Sequence, residues 1–168
     1  MSDEPRTSTR RDPVEEAVRQ WSARHPDASA FRGLTALIRT YGVVVRGVET
    51  ILRPLGLNLS RFEVLLLLQF TREGRLPMTR LRDLLMIHGS SVTYLVDRLE
   101  EAGLVARRPD PADGRVSLVC ITDEGHLVAD RAAALLVEHD FGPIAALPEE
   151  RRELLADLLG ALRGDEPA

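Results

Sequence analysis

The chain has 168 residues, of which 44% are hydrophobic and 29% are charged, and this composition predicts one domain large enough to bury a core. No apolar run approaches the ~20 residues of a membrane span and no signal peptide opens the sequence, so we expect a cytoplasmic protein that makes no contact with membranes. The single cysteine, Cys120, excludes an internal disulfide framework.

Charge is distributed unevenly along the chain, although the formal net charge is only −4. Residues 1–59 carry 9 arginines against 7 acidic residues, residues 60–122 carry 9 against 8, and residues 123–168 carry 4 against 11. This asymmetry favours a middle region that faces a polyanion and a C-terminal region turned away from phosphate. Every basic residue is arginine, which suits phosphate and guanine contacts but which a compositional bias of the genome also explains.

The N-terminal third predicts an arm followed by two helices. Residues 1–12 mix charged and hydroxyl side chains with almost no apolar ones, a pattern typical of disorder. Asp12 suits the N-cap and Pro13 the first position of a short helix over residues 14–24. Apolar residues then keep helical spacing for five turns within residues 34–52. A long amphipathic helix of this kind needs a partner surface.

Two short helices are predicted next. Ser60 and Glu63 match a capping box, so we expect a helix that begins at Ser60 and is broken by the polar stretch 71–77. Thr79 is placed to cap a helix over residues 80–87, and His88 and Gly89 make a turn into the helix that follows. Two helices joined by a brief glycine-containing turn form a helix-turn-helix unit.

Residues 89–103 predict a complete short helix, with hydroxyl residues suited to the N-cap and Gly103 suited to the C-cap. From Val92 to Leu99 the apolar residues recur at i, i+3, i+4 and i+7 and therefore share one buried stripe. The opposite face carries side chains that can donate, accept and stack against base edges, namely Ser90, Ser91, Thr93, Tyr94, Asp97 and Arg98.

The pattern changes after this helix. Residues 104–108 and 115–121 are predicted to form two strands of a β-hairpin, joined by a turn that contains Asp113 and Gly114. Arginines lie at the hairpin base, at Arg107 and Arg108, and at its tip, at Arg115. Two further helices, over residues 123–140 and from Pro148 onward, are predicted from capping residues and apolar stripes.

The helix and hairpin together resemble the winged helix-turn-helix of the MarR family of transcriptional regulators. The resemblance rests on SSVTYLVDRLEEAGLVAR at residues 90–107 and DPADGRVSLVCITDEG at residues 110–125, and it extends over roughly residues 33–163. It implies a mainly α fold with a small β-hairpin wing, built on an all-helical dimerisation frame. It also implies a homodimer that binds a palindromic operator in double-stranded DNA as a repressor and is released by a small aromatic or anionic effector.

The resemblance assigns roles to the polar side chains. It places Ser90, Ser91, Thr93 and Arg98 at base edges or phosphates of the major groove. Tyr94 stands where many relatives have arginine, so its ring would contact a thymine methyl or its hydroxyl a phosphate. We expect Asp97 and Glu100 to orient Arg98, because bare carboxylates facing phosphates are unfavourable.

The resemblance also assigns roles at the wing. It places Arg115 in the minor groove with Asp113 holding it, and Arg107 and Arg108 at the DNA backbone. We therefore divide the chain into five regions: the arm at 1–12, N-terminal dimerisation helices at 13–59, the winged helix-turn-helix at 60–122, C-terminal dimerisation helices at 123–163, and a tail at 164–168.

Two other kinds of function are compatible with parts of the sequence. A winged helix is also used as a protein-interaction module, and Cys120 or the four scattered histidines leave a redox or metal sensor open. We expect Cys120 to be a packed, inert thiol, and we expect no metal site because no pair of histidines has ligand spacing. No nucleophile–base pair or phosphate-binding glycine loop is present, so we predict no enzyme and no cofactor.

Overall fold

The computed structural model describes residues 12–85 and 89–164, apart from the side chain of Ser90. The predicted arm before Asp12, the turn at His88 and the end of the C-terminal tail lie outside these residues. The described helices are α1 (Pro13–Ser22), α2 (Ser29–Leu52), α3 (Leu59–Gln69), α4 (Met78–Leu85), α5 (Gly89–Glu101), α6 (Asp123–Glu138) and α7 (Glu149–Arg163), with 3-10 turns at Arg53–Leu55 and Gly142–Ala146. The strands are β1 (Arg75–Pro77), β2 (Val105–Pro109) and β3 (Ser117–Ile121).

The described chain divides into two compact units, residues 12–44 and residues 45–164, with the division inside α2. In the first unit Asp12 caps α1 as predicted, because its side chain accepts a hydrogen bond of 2.8 Å from the Val14 amide. Trp21 stacks on Phe31 at 4.4 Å between ring centroids. The Trp21 indole also donates to the Asp27 carbonyl at 3.3 Å, so this ring ties the end of α1 to the start of α2.

Two predicted helix starts are wrong by one or two residues. Asn58, not Ser60, caps α3, since its side-chain oxygen accepts the Arg61 amide at 2.9 Å and the helix begins at Leu59. Thr79 was predicted as the cap of α4, which instead begins at Met78 directly after β1. Pro77, the last residue of β1, pairs with Leu118 of β3 and directly precedes the helix.

The predicted two-stranded wing is part of a three-stranded antiparallel sheet in the order β1-β3-β2. The third strand, β1, lies in the polar stretch 71–77 that was predicted only as a break between helices. Its central pairing sets Leu76 opposite Val119. Three residues are too few to show strand alternation, and their partner lies more than forty residues away in the sequence, so local pattern does not reveal this strand.

The core of the second unit is enclosed by α3, α4, α5, β2 and β3, which supply most of its fully buried side chains. The predicted apolar stripe of α5 is confirmed, because Val92, Leu95, Val96 and Leu99 are all at most 7% exposed. Thr122 caps α6 as predicted by accepting the Gly125 amide at 2.9 Å. The mainly helical class with a small sheet is therefore confirmed, and burial of one face of α5 fixes which face points outward.

Large apolar side chains also remain exposed on two helices. In the first unit they lie on α2, and in the second unit they lie on α7, in which no residue is buried. Within the described part of the chain, no helix is long and apolar enough to cross a membrane. On these two helices the exposed large apolar side chains are Leu34, Leu37, Ile38, Tyr41 and Val43 of α2 and Leu154, Leu158 and Leu162 of α7.

Candidate nucleic-acid interface

The outward face of α5 presents a row of polar side chains opposite the buried stripe. Ser91, Thr93, Tyr94 and Arg98 are all exposed, and Asp97 is half-buried beside them. Ser90 belongs to the same helix, but its side chain lies outside the described residues. The described members of the predicted polar face thus lie together on α5, opposite the buried stripe.

Arg98 is held in place from two sides. Its guanidinium carbon lies 5.3 Å from the centre of the Tyr94 ring, and its Nη1 donates to a Glu101 carboxylate oxygen at 2.7 Å. Hydrogen bonding to Tyr94, followed by hydrogen bonding to Glu101, raises the pKa of Arg98 above its ordinary value. The side chain therefore stays charged and is positioned before any ligand arrives.

The prediction that Asp97 and Glu100 orient Arg98 is wrong, because both carboxylates bind Arg107 in the middle of β2. Nη2 of Arg107 donates to Asp97, and Nη1 donates to Glu100. The Arg107 amide also donates to Glu100 at 2.8 Å. Helix geometry explains the error: Asp97 and Glu100 are three residues apart and share a side of α5, whereas Arg98 finds its own i+3 partner in Glu101.

Arg107 and Arg108 differ in their surroundings because side chains alternate across a strand. Arg107 pairs with Val119 in the ladder and its side chain reaches α5, whereas Arg108 pairs with Leu118 and is exposed. Burial lowers the pKa of Arg107, and the hydrogen bonds that it donates to Asp97 and Glu100 more than offset this, so its pKa lies above the ordinary value. Two adjacent arginines predicted to play one role thus occupy different environments.

Arg108 borders a cavity of about 460 Å³ over the wing sheet. Cys120 and Leu118 of β3 line the same cavity, together with Arg75, whose Nε donates to Glu73 at 2.7 Å. Cys120 is half-buried, and its thiol is the free thiol of the chain. The prediction that it is inert stays a prediction.

The wing tip is a tight loop held by its own backbone. The Asp110 amide donates to the Val116 carbonyl, and the Val116 amide donates to the Asp113 carbonyl, both at 2.9 Å. The Asp113 side chain accepts the Arg115 amide at 3.0 Å, so it fixes the backbone of Arg115, whereas the resemblance implied that the aspartate holds the arginine itself. Arg115 lies in this loop, two residues before β3, and is exposed.

Side chains suited to metal binding do not gather anywhere in residues 12–85 or 89–164: no group of three or more His, Cys, Asp or Glu residues there is arranged to hold an ion. The same residues contain no fully buried polar or charged side chain of the kind that active sites shift in pKa. Among the described residues, the groups available for binding at this site are hydrogen-bond donors and arginines on α5 and in the loop at the wing tip.

Comparison with known proteins points to a single family. Residues 55–116 match the family model described as MarR family. The chain is 29% identical over 152 residues to the transcriptional regulator PecS of Dickeya dadantii, covering 88% of this chain and 90% of that one. It is 35% identical over 105 residues to the regulator MhqR of Bacillus subtilis, covering 62% of this chain and 70% of that one.

Solved structures give the same result. The fold is similar to Sco5413 of Streptomyces coelicolor, a MarR family regulator, with a TM-score of 0.75 and 35% identity over 82% of this chain and 98% of that one. Sco3205 of the same organism, solved in complex with DNA, gives a TM-score of 0.71 at 25% identity over 83% and 91%. CouR of Rhodococcus jostii, solved with p-coumaroyl-CoA, gives 0.65 at 30% identity over 79% and 92%. These relatives lend no support to a protein-interaction module.

Proposed function

The chain belongs to the MarR family of transcriptional regulators, DNA-binding proteins and not enzymes, and on that premise we propose that it binds a palindromic operator as a homodimer and leaves it when a small ligand binds. The observation that carries this proposal is the pairing of an outward polar face on α5 with an exposed arginine at the wing tip. A helix of this kind fits the major groove, while an arginine on a thin loop fits the narrower minor groove.

The proposed DNA contacts divide by groove. Exposed hydroxyls and the positioned guanidinium of α5 supply donors and acceptors for base edges and phosphates of the major groove. At the wing, the Asx turn made by Asp113 presents Arg115, and Arg108 is a candidate for the backbone. The proposed set is Ser90, Ser91, Thr93, Tyr94, Arg98, Arg108 and Arg115, with Asp113 supporting the loop.

The proposal of a homodimer rests on the uncovered apolar faces. In α7 the leucines at positions 154, 158 and 162 recur every four residues and are all more than half exposed, although water contact is unfavourable for each of them. The first unit carries a comparable apolar face on α2. A second copy would cover such faces with like surfaces, and two recognition helices one helical turn apart would read a palindrome. We assign regions 13–59 and 123–163 to this frame and region 60–122 to DNA binding.

The proposed ligand response is a population shift. CouR, solved with p-coumaroyl-CoA, shows that a relative of this fold takes an aromatic, anionic molecule, and this supports an effector of similar chemistry here. The effector would favour a spacing of the two recognition helices that misfits successive major grooves. It acts only through its difference in affinity for the two spacings, and each tenfold loss of operator affinity requires about 1.4 kcal/mol of that difference.

Selection of bound duplexes from a random DNA pool tests the proposal. The purified protein is expected to enrich a palindrome with half-sites about one helical turn, roughly 10 base pairs, apart. Titration of the enriched duplex at two salt concentrations should then show binding that weakens steeply with salt, because several phosphates are contacted by each dimer. A folded, dimeric protein that enriches no sequence would overturn the proposal. We propose the cytoplasm as the compartment of this chain, because a regulator that binds operators needs access to DNA.

A further inference from the structure

Arg107, on the wing strand β2, makes hydrogen bonds that reach back to α5. From these contacts we infer that Arg107 is a positioning residue that fixes the middle of β2 against α5 and so sets where the wing tip meets DNA, and that it is not itself a phosphate contact. This inference rests on the proposed function, because it concerns how the wing and the helix act together on an operator.

Three groups on α5, two carboxylates and one backbone carbonyl, make these contacts. The Arg107 guanidinium donates to the carboxylates of Asp97 and Glu100 and lies 3.4 Å from the Thr93 carbonyl oxygen. Its backbone amide also donates to Glu100 at 2.8 Å, so main chain and side chain of β2 are both tied to the helix. A planar guanidinium bound by two carboxylates and a carbonyl has one orientation, which a flexible amine would not have.

Burial and charge both argue against a phosphate at this guanidinium. The Arg107 side chain is 26% exposed, about half the exposure of the Arg98 side chain at 50%. Two carboxylates surround its single positive charge, so the cluster carries a net negative charge. A phosphate at the remaining N–H donors of Arg107 would lie beside both carboxylates, and repulsion between these like charges is unfavourable. The charge of Arg107 is therefore used within the protein.

The position of the wing tip depends on the cluster formed by Arg107, Asp97 and Glu100. Arg107 is the central residue of β2, which ends two residues later at Pro109, and the tip residue Arg115 lies in the loop that follows. The loop itself is closed by local hydrogen bonds, so it moves as a unit with the end of β2. Loss of the bond to α5 would leave the loop intact while loosening its placement relative to the helix. Operator recognition requires the wing-tip loop and α5 to keep a fixed position relative to each other.

The test neutralises the acceptors and leaves the arginine in place. In the double variant Asp97→Asn, Glu100→Gln the protein gains two units of positive charge and Arg107 becomes free for phosphate. If the cluster serves only charge balance, affinity for the operator and for random DNA should rise together. If it positions the wing, the ratio of operator affinity to random-DNA affinity should fall about tenfold, since each misplaced base contact costs about 1–3 kcal/mol.

Repeating the double variant in the Arg115→Ala protein tests whether the fall in the affinity ratio depends on Arg115. A positioning role through the wing tip predicts that the double variant changes the affinity ratio little once Arg115 is absent, because the two changes remove the same contact. Arg107→Gln should reproduce this non-additivity, and circular dichroism melting of each variant checks that it is folded. An unchanged ratio, or an equal fall with and without Arg115, would overturn the inference. If Arg115→Ala alone leaves the ratio unchanged, the proposed wing contact fails instead.

Discussion

The guanidinium of Arg98 lies over the ring of Tyr94, one turn away on the exposed face of α5, with 5.3 Å between the guanidinium carbon and the ring centre. Tyr94 occupies a position at which many relatives have arginine. The structure shows what the ring contacts: it supports the neighbouring arginine, while remaining 58% exposed itself. A stack of this kind restricts the arginine to few rotamers before DNA binds, which reduces the entropy lost on binding.

The first prediction concerns this stack. Tyr94→Ala should release Arg98 and weaken operator binding by about 1 kcal/mol, roughly fivefold, because an exposed cation–π contact is worth about 0.5–1 kcal/mol and the freed side chain must be ordered again. Tyr94→Phe keeps the ring and is the matched control. Binding is measured by fluorescence anisotropy on the selected operator. If Phe weakens binding as much as Ala does, the hydroxyl rather than the stack is what matters.

The second prediction concerns the wing tip. Arg115→Ala should weaken operator binding by about 1–3 kcal/mol while the protein remains dimeric, because the lost contact lies in a loop that supports no core residue. Arg131→Ala removes an equally exposed arginine from α6 and serves as the charge-matched control. Anisotropy titration and light scattering are measured on both variants. Equal affinities for the two would remove Arg115 from the proposed interface.

The third prediction concerns the apolar face of α7. Leu158, which is 59% exposed in the single chain, should lie inside the dimer, so Leu158→Asp should yield monomers or an unfolded chain. Asp157→Asn changes the neighbouring exposed residue and should leave the dimer intact. Light scattering after size-exclusion chromatography gives the mass. A Leu158→Asp dimer of unchanged stability would show that this face is not the interface.

The fourth prediction concerns Gly125 at the start of α6. A Cβ there would lie 2.1 Å from the Leu104 carbonyl oxygen and 2.7 Å from Cγ1 of Ile121, so the helix could not keep its approach to the end of α5 and the sheet. Gly125→Ala should lower the free energy of unfolding by about 1–3 kcal/mol through overpacking. Gly33→Ala is the control, since nothing lies within 4 Å of its added Cβ and the helix should gain up to about 1 kcal/mol. Urea titration distinguishes the two.

The features that were predicted correctly from the sequence are determined by residues close together along the chain. The Asp12 cap, the Thr122 cap, the left-handed Gly103 after α5 and the apolar stripe from Val92 to Leu99 all follow from spacing within one or two turns. Such patterns are local consequences of helix geometry, so a single sequence displays them. The family, the mainly helical class and the outward face of α5 followed from these features together with the hairpin motif.

What the sequence did not predict depends on contacts between distant residues. β1 exists because Arg75 meets Cys120 across the sheet, and a three-residue strand has no pattern of its own. Asp97 and Glu100 have several arginines within reach in sequence, and only the return of β2 beside α5 selects Arg107. The α3 cap was misplaced for a different reason: Asn58 and Ser60 both offer a capping oxygen, and the backbone entering α3 decides between them.

The proposed function requires that two copies of this chain read the two halves of one operator. Its most direct test compares the selected palindrome with a duplex in which one half-site is scrambled, while mass photometry counts the chains on each duplex. The account predicts two chains per duplex on the palindrome and a loss of about 100-fold or more in affinity when one half-site is scrambled, in keeping with about 1–3 kcal/mol for each mismatched base pair. One chain per duplex, or equal affinity for the two duplexes, would contradict it.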